Sequence, residues 1–331
     1  MSDMRRREFI TLLGGAAAAW PLAARAQQAA MPVIGFLSSY SSDAFAQYFL
    51  PAFHQGLNLA GYVEGQNVAV EYRWAGNEYE RLTALAGELV RLRVSVITAG
   101  SASLAAVAAK AATTTIPIVF LMGGDPVELG IVASLNRPGG NLTGLTNYNV
   151  SLTAKRLELL HQVAPGSGTV AVLVNSKSPA TQTIEAEARA AAQALGLRVE
   201  VLGAGTEDEI DAAFAIAVER GSGALFVSGD AFFNSRRSQF TALAAHHKLP
   251  AIYDRREIAM AGGLMSYGMN YFDIYRQAGI YTGQILKGAG SAELPVQQPT
   301  KVEFVVNLKT AKSLGIELPT SVLLSADEVI E

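Results

Sequence analysis

The chain contains no cysteine. That excludes disulfides, thiolate metal sites and a lipid anchor on a signal-peptide cysteine. Histidine is scarce, with four in 331 residues. The one pair, His246-His247, is adjacent, so on a helix its rings point to different faces and do not converge on a metal. Beyond Arg5-Arg6-Arg7 there is no basic run, and 26 Lys and Arg against 29 Asp and Glu give a formal charge of −3. A mildly acidic chain of this kind argues against nucleic-acid binding. Also missing are a G-x-S-x-G elbow, an H-E-x-x-H helix and a phosphate loop. Gly203-Ala204-Gly205-Thr206-Glu207-Asp208 approaches a dinucleotide fingerprint, but Asp208 stands where the third glycine belongs and the stretch follows a second strand. No paired base and nucleophile for an exported enzyme is evident. No metal or cofactor is therefore expected.

What is present begins with a processing pattern. Arg5-Arg6-Arg7 is basic, Thr11 to Trp20 is apolar, and Ala24-Arg25-Ala26 is an A-x-A cleavage signature. This is the order of an export signal over residues 1–26. Arg6-Arg7-x-Phe9-Ile10 reads as the twin-arginine type. The apolar stretch is too short to span a bilayer comfortably, and no second long one follows. The remainder is expected to be soluble and periplasmic. Without residues 1–26, which carry four arginines and two acids, 22 basic and 27 acidic residues remain, a formal charge of −5. About 305 residues, half of them hydrophobic across the chain, point to two domains.

The periodicity alternates between strand and helix, which predicts α/β architecture with doubly wound parallel sheets. Strands are expected at Pro32 to Leu37, Val68 to Arg73, Val94 to Ala99, Ile116 to Leu121 and Leu142 to Thr146. Helices are expected at Tyr79 to Leu92 and Ser103 to Ala112. Pro51 predicts either a kink in the first helix or a helix that begins near it and ends at Gly61. The pattern then restarts. Strands at Thr169 to Val174, Arg198 to Leu202, Ala224 to Val227, Pro250 to Tyr253 and Gly263 to Tyr267 alternate with helices, including Ser235 to His247. A helix at Phe272 to Leu286, a strand at Lys301 to Val306 and a short helix at Leu308 to Leu314 close the chain.

The most informative stretch is Ile116 to Gly130. A fully apolar strand stops at Gly123-Gly124-Asp125-Pro126. In open α/β sheets ligands bind beyond the carboxyl ends of strands, so Gly124 and Asp125 are candidate ligand residues. Asp125 reads equally as a helix N-cap. By the same position Ser38-Ser39-Tyr40 follow strand one, and Ser101 and Ser103 follow strand three. Hydroxyls and free N–H groups at a helix start suit a carboxylate or phosphate, or simply cap the helix. The second unit offers Asn175, Ser228-Gly229-Asp230 and Asp254 at strand ends, with Arg255 and Arg256 as alternative ion partners for Asp254. Tyr40, Tyr148, Phe232, Phe233 and Tyr267 form a candidate aromatic wall, or ordinary core.

Five motifs occur in order: Gly61-Tyr62-Val63-Glu64-Gly65-Gln66-Asn67-Val68, Gly124-Asp125-Pro126-Val127, Arg137-Pro138-Gly139-Gly140-Asn141-Leu142-Thr143-Gly144, Pro299-Thr300-Lys301 with Asn307-Leu308-Lys309-Thr310-Ala311, and Ala326-Asp327-Glu328-Val329-Ile330-Glu331. Over Pro32 to Glu331 the chain resembles the substrate-binding proteins of ABC importers, more narrowly the ABC sub-bind family, some of whose members bind aromatic amino acids. The resemblance implies a type I periplasmic binding fold. Its two lobes have strand order 2-1-3-4-5 and three chain crossings, near Thr146–Asn149, Gly268–Asn270 and Gln297–Thr300. Lobe one would comprise 32–147 with 270–297, and lobe two 148–268 with 299–331. Ligand would bind between the lobes, Asn147 at the first crossing included, and the closed form would be handed to an inner-membrane ABC permease by a monomeric receptor. An acid in lobe two facing serines in lobe one suits a zwitterion, carboxylate to lobe one and ammonium to lobe two. A solute-sensing partner of a chemoreceptor and an exported α/β enzyme are the alternatives. A transcription regulator's effector domain shares the fold but carries no export signal.

Overall fold

The computed structural model describes residues 31–42, 44–100, 103–147, 149–178 and 180–331. The export pattern at 1–26, Ser101 and Tyr148 lie outside them. The first sheet is wholly parallel, in the order β2-β1-β3-β4-β5. Its strands are β1 (Val33–Ser38), β2 (Ala69–Trp74), β3 (Val96–Gly100), β4 (Ile118–Met122) and β5 (Leu142–Thr146). β3, β4 and β5 are buried throughout, as a sheet covered on both faces requires. Side chains alternate between two layers along β1. Ile34 and Phe36 pack with α1 (Ala44–Leu59) and α10 (Tyr271–Leu286), whereas Leu37 packs with α2 (Leu82–Arg91) and α3 (Ser103–Ala112).

The second sheet contains β6 (Thr169–Val174), β7 (Arg198–Gly203), β8 (Ala224–Val227), β9 (Ala251–Tyr253), β10 (Met265–Met269), β11 (Val302–Asn307) and β12 (Glu328–Ile330). Its order is β12-β11-β10-β9-β8-β6-β7, and only the β10–β11 pairing is antiparallel. The run β7-β6-β8-β9-β10 repeats the 2-1-3-4-5 order of the first sheet. Val170, Val172 and Val174 pack toward α4 (Thr153–Val163) and α5 (Thr181–Leu195). Ala171 and Leu173 pack toward α6 (Glu207–Glu219) and α8 (Arg237–His246). The chain passes between the sheets after β5, after β10 and before β11. Each sheet with its helices makes a lobe. Among the described residues no helix is long and apolar enough to cross a membrane.

Three local expectations change. The first helix does not begin at Pro51: it starts at Ala44 and runs through that proline to Leu59. A proline removes one hydrogen bond. Phe49, Ala52, Phe53 and Leu57 bury a continuous stripe along the same helix, and that packing carries it across the gap. The helix expected from Ser235 to His247 is α8, two residues shorter at its start, and a separate short helix, α7 (Ala231–Ser235), precedes it across Arg236 with φ −102 and ψ 20. Asp230 starts α7 by accepting a 2.9 Å bond from Phe232 N. The helix expected from Tyr79 opens as a 3-10 turn, Tyr79–Arg81, which turns Tyr79 toward the second lobe.

Candidate functional site

The carboxyl ends of the strands of both lobes face a shared cavity of about 410 Å³. From lobe one, the end of β4 supplies Gly123, Gly124 and Asp125, and the end of β5 supplies Asn147. The start of α3 supplies Ser103, and the start of α10 supplies Tyr271 and Tyr275. From lobe two, the end of β8 supplies Ser228 and Asp230, and the end of β9 supplies Asp254 and Arg255. Arg156 reaches the cavity from the first turn of α4, and Glu187 from α5.

Several candidate residues are held by their own backbone neighbours. Asp125 Oδ1 accepts from Val127 N at 2.7 Å and Glu128 N at 3.2 Å, so it caps the turn after β4 while also lining the cavity. Asn147 Nδ2 donates to Tyr271 Oη at 3.1 Å. Ser38, Ser39 and Tyr40 are buried beneath the cleft and do not line the cavity; Ser38 Oγ accepts from Tyr40 N at 3.2 Å. Asn175 stands behind the wall, donating to Asp230 Oδ1 at 2.8 Å. Tyr267 likewise stays off the cavity, its ring edge-on to Phe304. Phe232 and Phe233 belong to the lobe-two core.

Two polar clusters shape the electrostatics. Asp230 accepts from Asn175 and Phe232 N through Oδ1, and from Tyr79 Oη of lobe one through Oδ2 at 3.0 Å. Burial pushes its carboxyl above the ordinary range, against the pull of those hydrogen bonds. Beside it Asn77 Nδ2 of lobe one donates to Ser235 Oγ at 3.3 Å. The deeper cluster holds Arg156, Asp254 and Arg255, which are 1%, 2% and 5% exposed. Arg156 Nε donates to Tyr267 O at 2.6 Å, and Arg255 Nε lies 3.4 Å from Asp254 Oδ2. The Arg255 guanidinium carbon sits 3.5 Å from the ring centre of Tyr271, 5.4 Å from Phe49 and 5.8 Å from Tyr40. Burial works against the charge on Arg255, yet Tyr40, Tyr271, Asp254 and Glu257 around it hold its pKa above the usual arginine value. Burial pushes the Tyr271 hydroxyl up to about 12, with Arg255 opposing, so it is a neutral phenol at physiological pH.

Sequence reasoning missed Arg156, Tyr79, Tyr271 and Tyr275 as cavity residues, and it cast Arg255 only as a possible ion partner. The signal for Arg255 was its place next to Asp254 at a strand end. Tyr271 opens a helix directly after a lobe crossing. Arg156 gave no signal, because an arginine on an amphipathic helix reads as a solvated face.

Two doubly wound lobes around such a cavity are the fold of the type I periplasmic binding proteins. The chain belongs to the ABC transporter substrate binding protein family, whose sequence pattern matches residues 32–330. It is 28% identical over 277 residues to a tyrosine-binding protein of Clostridioides difficile, covering 84% of this chain and 78% of that one. A conserved domain protein of Vibrio cholerae has the same fold at TM-score 0.82 and 25% identity, over 90% of this chain and 99% of that one. The ABC domain of Streptococcus pneumonia solved in complex with L-Trp superimposes at TM-score 0.80 and 26% identity, with the same coverage.

Proposed function

We propose that this protein is the exported solute receptor of an ABC importer and that it closes on an amino acid or related carboxylate held between its lobes. The observation that carries this reading is the cavity itself, which joins buried guanidinium groups, acids and tyrosine rings from two lobes. Fixed charges of both signs suit a zwitterion, and the rings suit an apolar or aromatic side chain. The relatives named for tyrosine and solved with L-Trp support the same ligand class. Residues 32–147 with 270–297 move as one body and 148–268 with 299–331 as the other, each built on its own sheet. Ligand bridging the two biases the open–closed equilibrium toward the form a permease recognises. The signal at 1–26 delivers the receptor to the periplasm.

A thermal-shift screen of residues 27–331 tests this, because a tight ligand raises the unfolding temperature by linkage. The panel comprises the amino acids, aromatic acids, purines and sugars. A rise of several degrees with at least one amino acid or aromatic acid is expected. A rise only with sugars or purines overturns the ligand class.

A further inference from the structure

Arg255 joins the lobes in an unusual way. It follows β9 and so belongs to the second sheet, yet its guanidinium is seated among Tyr40 and Phe49 of the lobe-one core and Tyr271, which packs against that core. A guanidinium stacked on an aromatic face keeps its N–H donors in the ring-parallel plane, where they can form a fork to a carboxylate. Arg255 is 95% covered and lines the ligand cavity, and Arg156, a second buried guanidinium, lines the same cavity. The described serines that suggested a carboxylate site on lobe one compare poorly. Ser38 and Ser39 lie off the cavity, and Ser103 is a neutral donor.

Resting on the proposed function, we propose that the ligand carboxylate is read by Arg255 of lobe two, and that Tyr40, Phe49 and Tyr271 of lobe one position its guanidinium. Two consequences follow. Specificity for a carboxylate resides in lobe two, opposite to the side the serine pattern favoured. Anion binding is also coupled to closure, because the aromatic seat is complete only when lobe one meets Arg255. Phe49 does not line the cavity, so it acts through Arg255 as a positioning residue.

The test compares L-tyrosine with tyramine, which differ only in the carboxylate, by calorimetry on the wild-type chain and on Arg255→Lys, Phe49→Leu and Ser103→Ala. Lysine keeps the charge and loses the planar fork and the stacking. The ratio of the two affinities is the readout, because a general loosening of the fold weakens both ligands alike. Arg255→Lys is expected to lower the tyrosine-over-tyramine preference about 10- to 100-fold, the size of a charge-assisted contact. Phe49→Leu should lower it less, and Ser103→Ala, which removes only a neutral donor, should also lower it less than Arg255→Lys does. If Arg255→Lys does not fold, the same ratio in Phe49→Leu decides. An unchanged ratio in Arg255→Lys, or a collapse in Ser103→Ala instead, overturns the assignment while leaving the receptor reading intact. Wild-type protein that binds no amino acid or aromatic acid overturns both.

Discussion

Asp230 is a carboxylate held on both sides of the cleft, by Asn175 and its own helix in lobe two and by Tyr79 in lobe one. Its raised pKa has a definite consequence for stability. Folding favours the protonated form, so its stabilising contribution is fully present below the ordinary carboxylate pKa. That contribution is lost as the pH rises through the higher folded-state value. Asp230→Asn removes this titration. Urea unfolding between pH 4 and pH 7 should therefore show the variant gaining stability relative to wild type as the pH rises. A difference between the two that does not vary with pH would show that the carboxyl is not shifted. The same residue marks how far the site was legible. Gly124, Asp125, Asn147, Ser228, Asp230 and Asp254 stand at strand ends, where topology alone points to ligand, and all of them line the cavity. Ser38, Ser39 and Tyr40 also follow a strand, but they turn back beneath it, which no spacing reveals. The burial of Arg156 depends on tertiary contact, its Nε reaching Tyr267 O of β10, 111 residues away in sequence.

At the scale of elements, α1 backs α10, which brings Tyr271 and Tyr275 to the lobe-one wall of the site beside the ends of β4 and β5. The two helices touch at backbone distance. A Cβ on Gly56 would lie 1.9 Å from Arg276 O, and one on Gly279 would lie 2.1 Å from Phe53 O. Gly279→Ala must push the helices apart, at a cost of about 1–3 kcal/mol of stability from overpacking. It should also weaken ligand binding, since the aromatic seat moves with α10. Denaturant unfolding reads the first effect, and stability equal to wild type would show that this contact is not tight. Strands were the most legible elements: β5, β6 and β8 match their expected bounds, and in β6 and β8 a continuous apolar run between turns is distinctive. The short elements were not. α9 (Arg256–Met260), α12 (Thr320–Ser325) and β12 have too few residues for a period to show. Tertiary contacts hold that region, including Arg256 to Glu328 at 2.5 Å and Asp327 Oδ2 accepting from Phe304 N at 2.8 Å.

At the scale of the whole molecule, the receptor works only if ligand changes the relation between the lobes. Contacts that already cross the cleft include Asn77 and Tyr79 on the α7 end, Arg237 over the Tyr48 ring, and the aromatic seat on Arg255. The absence of native cysteine allows spin labels to be placed at two introduced cysteines without background. Glu80 in lobe one and Asp208 in lobe two are both exposed and suit this. The decisive measurement is the label-to-label distance distribution by pulsed electron resonance, recorded without ligand and with the amino acid that gives the largest thermal shift. A closing receptor shifts the distribution to shorter distances and narrows it at saturating ligand. A distribution that stays the same while calorimetry reports full occupancy would mean that the ligand binds without moving the lobes, and the proposed mechanism would be wrong.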